Sequence, residues 1–188
     1  MTHRSAPVPT QTAVLALLPA ADPVVGQHRE HLDRAAAWGV TAHVTVIHPF
    51  VAPGDVDDEL VARLGGAVGA VPAFDVTFPR TAWFGDDVLW LAPEPAQPFC
   101  DLTAAVLAAF PDHPPYGGAF DGSAPHLTVG ERHLADLAAL QRAETAVCEH
   151  LPLTAHVDRV QLLAGSDAPG SWTVLRELPL STPSGSLR

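Results

Sequence analysis

The stretch "TAHVTVIHPF", residues 41–50, decides how this chain is read. Polar and apolar side chains alternate along it, the pattern of a half-buried strand. Its polar positions are His43 and Thr45, interleaved with Val44 and Val46. The pattern returns in "APHLTVGER", residues 124–132, where His126 and Thr128 stand in the same relation to Leu127 and Val129. Residues two apart in a strand share a face. Each copy therefore sets an imidazole beside a hydroxyl and turns two aliphatic side chains the other way. His-x-Thr-Val is expected only about 0.07 times by chance in a chain of this composition, and it occurs twice.

If the two strands lie side by side, two imidazoles and two hydroxyls converge on one cleft. That set suits the opening of a strained cyclic phosphodiester. A base must take a proton from the attacking water, and an acid must give one to the departing alkoxide. Histidine titrates near neutrality and serves either role. In-line attack puts nucleophile and leaving group on opposite sides of phosphorus, so the two histidines should approach from opposite sides. The threonine hydroxyls can donate to the non-bridging oxygens, whose charge must be held in the transition state. The bland alternative is a pair of amphipathic strands whose polar face meets solvent.

Length and composition bound the rest. The chain has 188 residues, 47% of them hydrophobic and 16% charged. That is enough apolar material for one folded domain, or for two small lobes sharing an interface. The formal net charge is −11, and every basic side chain is Arg. Such a charge argues against tracking DNA or long RNA, which needs a basic stripe. It leaves room for a small anion held by local donors. Cys100 and Cys148 have no framework spacing and read as reduced thiols in a cytoplasmic protein. The start, "MTHRSAPVPTQTAVLALLPAADP", loosely mimics a secretory leader, but it reads better as a buried strand over 12–18. No run is long enough to span a membrane. No HxxxH or CxxC spacing suggests a metal site, and no cofactor is expected.

Along the chain, Asp22 and Pro23 read as the cap and first residue of a helix that carries Val24, His28, Leu32 and Ala35 and ends at Gly39. The first motif strand follows over 42–50. "PGD" at 53–55 opens a helix with Val56, Leu60, Leu64 and Val68 on one face. Residues 74–78 read as a strand, and "TAWF" and "VLWLAP" flank a hairpin turn at 85–87. A helix from Pro98 buries Phe99, Leu102, Val106 and Phe110. The aperiodic stretch 111–125 reads as a binding loop or lid, in which Tyr116 and Phe120 could stack on a base. The second motif strand covers 125–130, a helix runs over 133–148, and the segments 153–165 and 171–178 supply the last strands. His48 falls on the opposite face from His43 by strand alternation and reads as structural. Phe50, Trp83 and Trp90 read mostly as core, with Phe50 also a candidate substrate contact.

At this point the residues meet a known family. His43-Val44-Thr45-Val46 and His126-Leu127-Thr128-Val129 resemble the signature of the 2H phosphoesterases, the 2′-5′ RNA ligase-like superfamily. "HVTVIHPF", "VLWLAPEPAQPF" and "PHLTVGE" are similar to stretches of its bacterial members, and the likeness covers about residues 12–178. The mixture of strands and helices, with several strands pairing through short turns, points to α+β with largely antiparallel sheets. The resemblance implies a bilobal fold in which two pseudo-twofold-related lobes of antiparallel sheet, with helices packed outside, flank a central cleft. The tail at 181–188 reads as frayed, and the chain is expected to be a single domain over 1–188 and a monomer. The resemblance also implies cyclic phosphodiesterase or RNA 2′-5′ ligase chemistry on a small nucleotide or RNA terminus bearing a cyclic phosphate.

Carried over by position, His43 and His126 are the acid–base pair, and Thr45 and Thr128 bind phosphate. The resemblance gives His126 the water and His43 the leaving oxygen. Arg132 is placed to reach a phosphate, or to pair with Glu131 at the surface. Val46 and Val129 stand where many members carry Leu. The acidic balance and the lack of Lys depart from members that grip tRNA. A spent site that only binds nucleotides or RNA ends is a further alternative.

Overall fold

Five consecutive residues of the first strand, β1 (Gln11–Leu17), are buried, which explains its unbroken apolar run: both of its faces are covered. In this computed structural model, which describes residues 7–114 and 124–182, β1 is a central strand. It pairs antiparallel with β2 (His43–Ile47) on one side and β7 (Arg159–Gly165) on the other. Within the leader-like stretch, Gln11–Leu17 is therefore sheet. No helix among the described residues is long and apolar enough to cross a membrane.

Two four-stranded antiparallel sheets make the fold, in the orders β2-β1-β7-β8 and β5-β4-β3-β6. The second sheet comprises β3 (Phe74–Phe84), β4 (Val88–Glu94), β5 (Leu127–Glu131) and β6 (Leu153–Val157), and β8 is Thr173–Pro179. Both orders place a motif strand at one edge. Each motif strand is reached from its neighbour through a helix, by α1 (Asp22–Leu32) between β1 and β2 and by α4 (Gln97–Ala109) between β4 and β5. This is the bilobal, pseudo-twofold α+β plan that the motifs imply.

The lobes are not successive halves of the chain. The first lobe is built from both ends, and residues 74–157 form the second as one insertion. The segment 153–165, which reads as one strand, is cut at Asp158 so that β6 and β7 serve different sheets. A single core cluster runs through both lobes, from Val14, Val44 and Val46 to Leu91, Leu127 and Val129.

The helices exchange sides. Thr103 of α4 donates to the carbonyl of Val46 in the other lobe at 3.1 Å. Leu32 of α1 and Leu140 of α5 (Leu137–Cys148) close on Gly130 of β5. Each motif strand is thus backed by a helix from the opposite lobe, which closes off part of its edge.

Several local expectations shift. Asp22 does not cap α1, because a 3-10 turn at Pro19–Ala21 feeds the helix with backbone that is already helical. The buried face of α1 is Val25, Arg29 and Leu32 rather than Val24, His28, Leu32 and Ala35. The helix also breaks at Asp33, whose extended backbone and capping carboxylate start the short α2 (Arg34–Ala37). "PGD" forms a 3-10 turn, and α3 (Asp58–Val68) starts later, capped by Asp57. Residues 74–84 are one strand with a register shift around Pro79. The helix expected from His133 starts at Leu137, where the Asp136 carboxylate takes the Ala139 amide. Of the tail, Ser181 is pinned: its amide donates to Val71 and its carbonyl accepts from Ala73.

The exchange of helices predicts a sensitive point. A Cβ at Gly130 would lie 2.6 Å from Leu140 Cδ2 and 2.8 Å from Leu32 Cβ, and neither helix can retreat without opening the core. Gly130→Ala is expected to cost about 1–3 kcal/mol, read as a lower urea midpoint with an unchanged m-value. An unaltered midpoint would refute the packing described.

Candidate active site

The two motif strands match residue for residue. His43–Ile47 and residues 126–130 share one pattern: half-buried, buried, half-buried, buried, buried. The two closing buried residues reflect a bulge at the same motif position in each lobe. In β2 the register passes from Leu15↔Thr45 to Val14↔Ile47, leaving Val46 unmatched. In β5 it passes from Trp90↔Thr128 to Leu89↔Gly130, leaving Val129 unmatched. A bulge bends its strand and re-aims the neighbouring side chains, and here it follows each threonine.

The bulge also breaks simple alternation, so the face of His48 does not follow from counting back to His43. His48 is tied to Gln11 Oε1 at 2.9 Å and lies 5.8 Å from Trp172, ring to ring. It is a structural residue by contact.

Each imidazole is held by its own strand entry. His43 Nδ1 lies 2.9 Å from the Thr41 carbonyl, and His126 Nδ1 lies 2.8 Å from the Ala124 carbonyl. A carbonyl can only accept, so both Nδ1 atoms carry the proton. Both Nε2 atoms are then the basic nitrogens of the neutral rings. β2 and β5 adjoin across the lobe boundary, and the two histidines are close enough that a charge on His126 disfavours one on His43.

Burial pushes both pKa values down. His43 falls to about 4, first through desolvation and then through Arg29, against an opposing pull from Asp33. His126 is lowered by desolvation, offset by its carbonyl bond and by Asp33. In the free protein at neutral pH both rings are therefore uncharged.

Arg29 and Asp33 are buried neighbours of the histidines that the sequence reading missed. Arg29 is 2% exposed and Asp33 4% exposed. They are joined at 2.8 Å, and the charge of Asp33 reaches both histidines. The available signal was the spacing of an Arg and an Asp four apart at the end of the helix before the first motif. It was obscured by taking the wrong helical face.

On the second lobe, aromatic rings surround His126. The Phe84 centroid lies 5.0 Å and the Trp90 centroid 5.9 Å from the imidazole, and the two aromatics stack at 4.7 Å. Trp90 is the cross-strand partner of Thr128, so it belongs to the cleft face and not to the core. Its Nε1–H is buried with no acceptor among the described residues. Trp83 does face inward, donating to Glu144 of α5 at 2.9 Å.

The remaining candidates separate. Phe50 is 5% exposed and packs edge-on against Phe110, which makes it a core residue rather than a substrate contact. Arg132 is exposed just beyond β5, with its amide bonded to the Asp87 carbonyl. Glu131 engages His133 and the Arg34 amide instead of Arg132. Tyr116 and Phe120 lie outside the described residues. Cys100 and Cys148 are both free and exposed. Among the described residues no three His, Cys, Asp or Glu side chains are grouped to hold a metal ion.

A two-lobed sheet pair with a histidine–threonine strand at the edge of each lobe defines a class. The chain belongs to the 2′-5′ RNA ligase superfamily, which it matches over residues 17–168. Solved structures share the fold. Escherichia coli LigT complexed with 3′-AMP aligns with a TM-score of 0.59 at 20% identity, covering 93% of this chain and 100% of that one. TT0787 of Thermus thermophilus aligns with a TM-score of 0.61 at 16% identity, covering 92% and 98%. A structure described as a phosphoesterase aligns with a TM-score of 0.56 at 20% identity, covering 93% and 100%. No curated protein matches the sequence.

Two histidines held below their usual pKa make stability depend on pH. Between about pH 4 and pH 6.5 the unfolded chain binds more protons at these sites than the folded one, so stability rises with pH across that window. Denaturant titrations at stepped pH should show this rise, and His43→Gln should flatten part of it. An equal slope in the variant would contradict the burial of His43.

Proposed function

We propose that the protein is a metal-independent cyclic phosphodiesterase that opens 2′,3′-cyclic phosphates on small nucleotides or short RNA ends by two-histidine acid–base catalysis. The observation that carries this reading is the duplicated strand entry. In both lobes a backbone carbonyl holds Nδ1–H, so that Nε2 is the free nitrogen, with a threonine two residues on and a bulge behind it. One neutral imidazole can take a proton from water and the other can protonate the departing oxygen, while Thr45 and Thr128 donate to the non-bridging oxygens.

The family resemblance gives the water to His126 and the leaving oxygen to His43. A His43 that is neutral in the free protein must then acquire its proton as the substrate binds. The negative charge of the phosphate favours that uptake, because an adjacent opposite charge raises an imidazole pKa. The LigT structures described as complexes with 3′-AMP, ATP and NADP+ support a nucleotide-sized ligand. The family description itself favours RNA 2′-5′ ligation as a second reading, in which the two histidines exchange roles with direction.

The test is turnover of the four 2′,3′-cyclic nucleotides, with EDTA present, and of RNA halves bearing a cyclic phosphate and a 5′-hydroxyl. His43→Ala and His126→Ala are each expected to lose about 10²-fold or more while remaining folded. An aryl ester with a p-nitrophenolate leaving group needs no acid, so His43→Ala should recover much of its activity on it and His126→Ala should not. Full turnover by either variant on the cyclic nucleotides would overturn the assignment. Joining of the RNA halves would favour the ligase reading. Tight binding without turnover by the wild-type protein would leave only a binding module.

A further inference from the structure

Arg29 and Asp33 are the buried charged residues among those described. Taking a charge pair out of water is costly, and such a pair is weak evidence for stability in itself. What it touches is more informative. Arg29 Nη2 donates to the Val40 carbonyl at 3.3 Å, and Arg29 Nη1 lies 3.9 Å from Asp22 Oδ1. The same Asp22 oxygen accepts from the Ala42 amide at 3.1 Å. The Ala42 N–H and the Thr41 carbonyl belong to one planar peptide group. That carbonyl is the acceptor for His43 Nδ1–H. Asp22 therefore holds one end of the peptide plane whose other end holds the imidazole.

We infer that Asp22, Arg29 and Asp33 form a relay of positioning residues in α1 and at its end, setting the tautomer and orientation of His43 through the 41–42 peptide. The relay touches no substrate; its role in turnover rests on the phosphodiesterase reading above. Asp33 locks the guanidinium, the guanidinium holds Val40 and faces Asp22, and Asp22 fixes the peptide. Rotation of that plane would break the Asp22 and His43 bonds together. The second lobe has no buried charged counterpart among the described residues of α4. The two imidazoles are thus held alike at Nδ1 but backed differently.

The deciding measurement is the nitrogen-15 NMR spectrum of the two rings, which reports tautomer without any substrate, alongside steady-state kinetics. Asp22→Ala is expected to convert His43 from a single Nδ1–H tautomer to a mixture, leaving His126 unchanged as the internal control. It should lower kcat about 10-fold or more with KM within about two-fold, the signature of lost positioning. Asp22→Asn keeps an acceptor oxygen and should restore both readouts. The double variant Arg29→Met with Asp33→Asn removes both charges yet keeps an acceptor for the Ala35 amide at the start of α2, so it should fold and still show the mixed His43 tautomer. A single His43 tautomer in both Asp22→Ala and the double variant would overturn the relay, whichever substrate the protein turns over. A mixed tautomer with no turnover of any cyclic phosphate by the wild type would uphold the relay and refute the phosphodiesterase reading.

Discussion

The burial of aliphatic side chains behind the two motif strands is the constraint from which the rest of the site follows. Val44, Val46 and Ile47 in one strand, and Leu127 and Val129 in the other, belong to a single core that spans both lobes. Each such side chain contributes about 1.5–3 kcal/mol when fully buried. The hydrogen bond from an imidazole to its carbonyl adds only about 1 kcal/mol net. Packing therefore decides which face of each strand meets the cleft, and the hydrogen bonds then decide how a ring already on that face is turned. Because the core is continuous, the two histidines cannot be separated by sliding one lobe past the other without opening it.

Duplication is visible at a finer level than the motif. Both strands lie at a sheet edge, both follow a helix that comes from the neighbouring strand, and both carry an unmatched valine after the threonine. A bulge disturbs the ladder at its own position, and its repetition at the same place in two strands of different sequence argues that the bend is needed. It lets two successive residues pack inward, and so anchors the end of each strand next to the residues that face the cleft. The symmetry does not extend to what lies around the histidines. Arg29 bears on the charge of the first, whereas the second has stacked aromatic rings beside it. Two rings with the same hydrogen-bonded tautomer can in this way acquire different proton affinities.

Much of this was legible in the chain. Short-range alternation located both motif strands, and the turn residues at 85–87 located the hairpin. The α+β class followed from the order of elements, and the pairing of the two lobes followed from the repeated motif. What was hidden depends on tertiary context. The bulges at Val46 and Val129 leave no mark in composition, so counting by twos does not fix the face of His48. The break at Asp158 sits inside a run that reads as one strand, because nothing local says that residues on either side serve different sheets. Trp90 reads as core by hydrophobicity, yet its register partner is Thr128. Arg29 and Asp33 do not stand out in the sequence, because charged residues are rarely buried. Only the fold shows that they pair with each other.

The electrostatics also bear on the kind of substrate that fits the proposed chemistry. The chain carries a net charge of −11, and its one buried guanidinium among the described residues is answered by Asp33. Attraction for a phosphate must then come from local donors and not from a basic field. Two neutral histidines in a desolvated setting are suited to this, because each can take a proton when an anion arrives and so supply positive charge only where it is needed. A long polyanion would meet the acidic surface over many ångströms, where screening is incomplete within the Debye length of roughly 8–10 Å. A single nucleotide or a short terminus presents most of its charge at the cleft itself. On the proposed reading, the acidic balance weighs more against a long polyanion than against a single nucleotide, whose charge would be met by the donors of the two motif strands.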